Sequence, residues 1–137
     1  MQYYKMIVNE EQIVAMKNAL QFYQNWLTGR LELPSIITKE LGWKEGKDLM
    51  ACVAFLKEVK SLIYPDLAQS EVYEFGSQYS NGARQNKVVG LERDTAWELF
   101  RDIYEYLETG KIVNWSKNYS GNLPLEIEKY DKIFYTI

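Results

Sequence analysis

"NEEQIVAMKNALQFYQNWLTG", residues 9–29, is the stretch from which the fold is read. Ile13, Met16, Leu20, Tyr23 and Leu27 recur at spacings of three and four, which lines them along one side of a helix. Asn9 followed by Gln12 is a capping-box pair, and Glu10 and Glu11 suit the positive end of a helix. Gly29 is placed to end the helix in a left-handed conformation. Phe22 and Trp26 widen the stripe.

Two further segments carry the same period. After Gly46, the residues Leu49, Cys52, Val53, Leu56, Val59 and Ile63 form a stripe that Pro65 stops, with Lys57 and Lys60 expected on the outer side. In "LERDTAWELFRDIYEYLETG", residues 91–110, Thr95 and Glu98 read as a second capping box, Glu92 offers a start one turn earlier, and Gly110 is the end. Its inward side is Ala96, Leu99, Phe100, Ile103 and Leu107. Its other sides carry Glu92, Asp94, Glu98, Asp102, Glu105 and Glu108 against Arg93 and Arg101, read as a solvated surface. "LPSIITKELG" supplies a short helix with Pro34 and Ser35 near its start and Gly42 at its end.

At the ends the period changes. Tyr4, Met6 and Val8 alternate with Lys5 and Ile7, while Ile133, Tyr135 and Ile137 alternate with Phe134 and Thr136. "YSGN" before "LP" is turn chemistry. The expectation is a mainly α chain with a small terminal β-sheet (α+β), built from three main helices and one short one, the first and last strands paired. Residues 1–137 make a single domain, with no repeat, linker or low-complexity segment.

Composition narrows the chemistry. A net charge of -3 argues against broad electrostatic binding to DNA or RNA, which requires a basic face to release phosphate counterions. No run approaches the roughly 18 apolar residues that span a bilayer, and the start is too briefly apolar for a signal peptide. The lone Cys52 has no internal disulfide partner, so a reducing, cytoplasmic setting is expected. On an apolar helix stripe it reads as a buried, inert thiol. With no histidine, imidazole triads and the commonest metal ligand are absent. Glu98, Asp102 and Glu105 share one side of a helix, and Glu71 and Glu74 form another pair; either could hold Mg²⁺ through oxygen, but no phosphate-cradling glycine motif accompanies them. No catalytic residue, metal or cofactor is expected. The eleven Tyr and four Trp suit oligomer interfaces and ligand pockets, or simply fill a small core with large residues.

"EFGSQYSNGARQNKVVG", residues 74–90, is unlike its surroundings. Phe75 and Tyr79 offer flat faces for stacking, Arg84 and Lys87 offer charge for phosphate or carboxylate, and Gln78, Asn81 and Asn86, with Gln85, offer two-sided hydrogen bonding that reads a base or an amide. Asn81 with Gly82 is equally a plain turn, and a loop of this length is either functional or mobile.

Taken in order, "EEQIVAMKNALQFYQNWLTGRLELP", "LKEVKSLIYPDL", "RDTAWELFRDIYEYL" and "YSGNLPLEIE" resemble a group of small phage and prophage proteins. The resemblance covers most of the chain and departs at residues 73–90. It implies a viral or prophage accessory protein acting inside a bacterium. Three functions from different classes are compatible with the residues. One is a homo-oligomeric counter-defence protein that sequesters a small anionic, nucleotide-like ligand at Phe75, Gln78, Tyr79, Asn81, Arg84, Asn86 and Lys87. Another is a protein-interaction module that blocks a host protein through exposed Tyr and Trp. The last is a carboxylate and divalent-metal enzyme.

Overall fold

Helix formation follows the apolar spacing closely, and the ends of the helices follow their caps. The structure, a computed structural model, describes residues 1–41, 47–73, 86–113 and 118–131. Its elements are α1 (Glu10–Leu27), α2 (Ser35–Glu40), α3 (Lys47–Ile63) and α4 (Lys87–Thr109). At the start of α1 the capping box is complete: the Gln12 amide donates to Asn9 Oδ1 at 2.8 Å and the Asn9 amide to Gln12 Oε1 at 2.9 Å. Past its other end Gly29 takes φ +91°, and α4 closes on Gly110 at φ +78°.

The mainly helical expectation holds, but the terminal sheet does not. Residues 1–9 form no strand, and Tyr3, Tyr4, Met6 and Ile7 are exposed. A strand is stable only when its backbone groups find a partner ladder, and alternation over five residues does not supply one. The proposed partner, 133–137, lies outside the described residues. Among the described residues there is no strand.

Among the described residues, α1 and α4 are the helix pair with extended mutual packing. They run antiparallel, since Tyr23 late in α1 donates to Glu92 early in α4, whereas Lys17 earlier in α1 lies over the ring of Tyr104 late in α4. Among the described residues, Ala96 and Ile103 are the buried apolar side chains, at 4% and 2% exposure. Leu99 and Phe100 are half-buried beside them, and Leu107, expected inward, is exposed.

α4 begins two turns before Thr95. Asn86 caps it, its Oδ1 accepting from the Val88 and Val89 amides at 2.9 and 3.3 Å, so the first turn is drawn from what reads as loop. An asparagine that satisfies two otherwise orphaned amides outweighs the helix-weakening glycine at position 90.

Candidate functional site

Of the seven residues proposed to grip an anionic ligand, Phe75, Gln78, Tyr79, Asn81 and Arg84 lie outside the described residues. The other two sit at the head of α4. Asn86 has its side-chain oxygen engaged as the cap, and Lys87 is exposed on the first helical residue. Lys87 therefore stands at the positive end of a 23-residue helix.

The acidic side of α4 is solvated only in part: Glu92 and Glu108 are exposed as expected, but the acids between them include buried ones. Asp94, Glu98 and Asp102, four residues apart and hence stacked on one side of the helix, are 0%, 4% and 2% exposed. For Glu98 and Asp102 the physical reason is the chain that follows α4. Glu98 accepts from the Ser120 amide at 3.1 Å and from its hydroxyl, and Asp102 accepts from the Leu125 amide at 3.1 Å. Glu105 accepts from the Val113 amide at 2.9 Å. The three carboxylates weighed as Mg²⁺ ligands are thus a row of acceptors to which Val113, Ser120 and Leu125 are fastened. Buried carboxylates are tolerable because charge-assisted bonds replace their lost hydration. Among the described residues no group of three acids or cysteines is arranged to hold a metal ion. Of the other pair, Glu71 accepts from the Ala68 amide, and Glu74 lies outside the described residues.

Arginines complete this ridge. Arg101 pairs with Asp102 at 3.1 Å, donates to Asn118 Oδ1 at 2.6 Å and lies 5.1 Å from the centre of the Trp97 ring. Arg93, 1% exposed, contacts Asp94 at 3.4 Å. Between α4 and the fastened segment a cleft of about 190 Å³ is lined by Thr95, Glu98, Asp102, Asn118 and Asn122. Pockets that enclose a nucleotide-sized ligand start at about 300 Å³, so this cleft suits water or a small group rather than a nucleotide.

A second polar hub joins the far ends of α1 and α3. Lys60, expected on the outside of α3, is 6% exposed and donates to the Gln69 and Glu71 carbonyls at 2.8 and 2.6 Å. Burial pulls its ammonium below the ordinary lysine range, against the opposing pull of Glu71 and with a smaller push from Arg30 in the same direction. Tyr64 donates to the Trp26 carbonyl at 2.7 Å and the Tyr73 amide to the Thr28 carbonyl at 2.8 Å. Burial raises the Tyr64 phenol above its usual range, and the charge of Arg93 opposes the rise. Within α1, Gln24 donates to Asn25 and Asn25 to Glu32, each at 2.6 Å, which turns residues 28–32 back across the helix end. These bonds use the polar atoms for holding segments together.

The apolar residues left outside form the larger part of the available surface chemistry. Met50, Phe55 and Leu62 on α3 are 72%, 64% and 83% exposed. Tyr23 and Tyr104, at opposite ends of the α1–α4 seam, are exposed as well, while Trp26 and Trp97 are half-buried. Trp43 and Trp115 lie outside the described residues. Cys52 is half-buried rather than enclosed. No helix of the described residues is long and apolar enough to cross a membrane.

No known protein family, characterised protein or solved structure matches the chain. The buried acids and Lys60 were not found from periodicity, although the four-residue spacing of Asp94, Glu98 and Asp102 was there to be seen.

Proposed function

We propose that this chain is a non-enzymatic accessory protein of a phage or prophage that acts by binding a bacterial protein through exposed aromatic and aliphatic side chains on its helices. The observation that carries the reading is the exposure of Tyr23 and Tyr104 on the α1–α4 pair, with Leu107, one turn beyond Tyr104, also in solvent. Tyrosine gives a large contact area at a small cost in side-chain freedom, and with arginine and tryptophan it dominates the energetics of protein interfaces. The acids that would serve a metal-dependent reaction are engaged by backbone amides, which favours binding over catalysis.

The test compares the wild-type protein with a Tyr23→Ser, Tyr104→Ser double variant in capture from bacterial extract, followed by calorimetry between purified chains. The reading expects a bacterial protein that binds the wild type at least tenfold more tightly than the variant. It fails if no purified pair binds, or if the variant binds equally well.

A second reading, sequestration of a small anionic nucleotide-like ligand, is favoured by the exposed Lys87 at the positive end of α4. Melting the protein with cyclic dinucleotides, cyclic trinucleotides and ADP-ribose derivatives separates the two. A ligand at a hundred times its dissociation constant stabilises by about 2.7 kcal/mol, and a flat response across the panel removes this reading.

A further inference from the structure

Residues 118–131 are fastened to α4 on the side away from its buried apolar residues. Glu98 and Asp102 stand about 200° and about 240° around the helix from Ala96, whereas Ile103 stands within about 20° of it. The apolar pair and the fastening therefore use different sides of one helix. Among the described residues, the hydrogen bonds that tie the segment to the rest of the chain all end on α4. Glu98 holds the Ser120 amide and hydroxyl, Asp102 holds the Leu125 amide, Arg101 holds Asn118, and Asn122 reaches Thr95 at 3.4 Å. The turn between these points closes on itself, with Gly121 at φ +80° and the Asn118 side chain donating to the Asn122 carbonyl at 2.7 Å.

Three observations make this attachment shallow. Not one of residues 118–131 is buried: Asn118, Ser120, Pro124, Leu125 and Ile127 are half-buried, and the others are exposed. Beneath the segment a cleft of about 190 Å³ stays open between Thr95 and Leu99 of α4 and Asn122 and Leu123 above them. Charge opposes the contact as well. The segment carries Glu126, Glu128 and Asp131 against Lys129, and α4 carries six acids against Lys87, Arg93 and Arg101, so both sides are negative. A unit with few buried apolar contacts opens ahead of the global transition.

We propose that residues 118–131 form a strap that opens from α4 as one unit while the α1–α4 pair stays folded, and that like charge on its two sides makes closure depend on ionic strength. Opening returns the carboxylates of Glu98 and Asp102 to water and leaves Ala96 and Ile103 in place. Salt favours the closed strap, because the distance over which the charges repel shrinks from about 30 Å at 0.01 M to about 3 Å at 1 M. The fastening uses neither Tyr23 nor Tyr104, so the strap stands or falls apart from any bacterial partner.

Native-state amide hydrogen exchange of the full chain, read residue by residue in about 0.01 M and about 1 M sodium chloride, tests it. At low salt the Ser120 and Leu125 amides should show the same protection within threefold, at least a hundredfold below that of the Ile103 amide. At high salt both should gain at least threefold in protection. The Glu126→Lys, Glu128→Lys double variant takes the strap's net charge from -2 to +2 and should raise the protection of both amides at low salt. Protection equal to that of Ile103 overturns the proposal, because the segment then opens only with the whole fold. Unequal protection of Ser120 and Leu125 overturns it too, since each bond then breaks by itself. So does protection that salt leaves unchanged or lowers. Should the double variant fail to fold, the wild-type salt series decides alone.

Discussion

Glu98 accepts hydrogen bonds from both the amide and the hydroxyl of Ser120, 22 residues further along the chain. That single carboxylate fixes where the segment after α4 returns to it, and Asp102, one turn on, repeats the attachment at Leu125. The contact is long-range in sequence and made by a buried charge, so it has no substitute nearby. Glu98→Ala should therefore leave the Ser120 amide and hydroxyl without their acceptor, at a cost of about 1–3 kcal/mol. Glu98→Gln keeps one oxygen and should cost less. Urea unfolding of the two variants checks the order, and equal losses would show that the charge is immaterial to the attachment.

The helices were legible because their apolar spacing and caps are local signals. Asn9 with Gln12, and Gly110 past α4, act within one turn of the chain, where sequence distance and spatial distance coincide. The acidic ridge was not legible for the opposite reason. Whether Glu98 and Asp102 face water or a backbone amide depends on a segment about twenty residues away, and exposed and buried helical acids share the same spacing. Lys60 was misplaced by the same rule: a lysine beside an apolar stripe is usually outside, but the turn at 66–71 brings two carbonyls to its ammonium. The terminal alternation was overvalued, since a strand needs a partner that five residues do not specify.

Lys60 gives stability a distinctive pH dependence. Its native pKa lies below that of the unfolded chain because burial disfavours the charge. Between the two values the unfolded chain binds more protons, so this group stabilises the fold increasingly as pH rises towards the ordinary lysine value of 10.5. Tyr23 and Tyr64, both raised, act in the opposite sense above their usual value of 10.0, so the wild-type curve alone is ambiguous. The difference between wild type and Lys60→Met isolates the lysine. The variant leaves the Gln69 and Glu71 carbonyls unpaired and should be less stable at pH 7 by about 1–3 kcal/mol. The gap should widen as pH approaches 10.5; a gap that narrows would mean that the buried site raises the lysine pKa.

Asn86 belongs to the helix before it belongs to any ligand. Asn86→Ala removes the acceptor of the Val88 and Val89 amides and should destabilise the protein by about 1 kcal/mol. Asn86→Asp keeps the oxygen and places a negative charge at the positive helix end, so it should match or exceed the wild type. Thermal melts followed at 222 nm distinguish the two. A loss in both variants would show that the side chain does something other than cap α4.

Gly29 and Gly110 share a left-handed backbone but not their surroundings, which makes them a matched pair. At Gly29, with φ +91°, an added Cβ would come within 2.6 Å of Leu67 Cδ1, and the Tyr64 ring and the stem of Lys60 lie just beyond, at 3.8 and 3.9 Å. At Gly110, with φ +78°, nothing among the described residues lies within 4 Å of that position. Alanine at either site incurs the left-handed penalty of about 1–2 kcal/mol. At Gly29 it must also push Leu67 away from the hub where Tyr64 and Tyr73 tie the ends of α1 and α3 together. Gly29→Ala should therefore lose clearly more stability than Gly110→Ala in parallel urea titrations. Equal losses would mean that Leu67 moves aside freely and that the junction is held by the hydrogen bonds of Tyr64, Tyr73 and Lys60 without close packing at the turn.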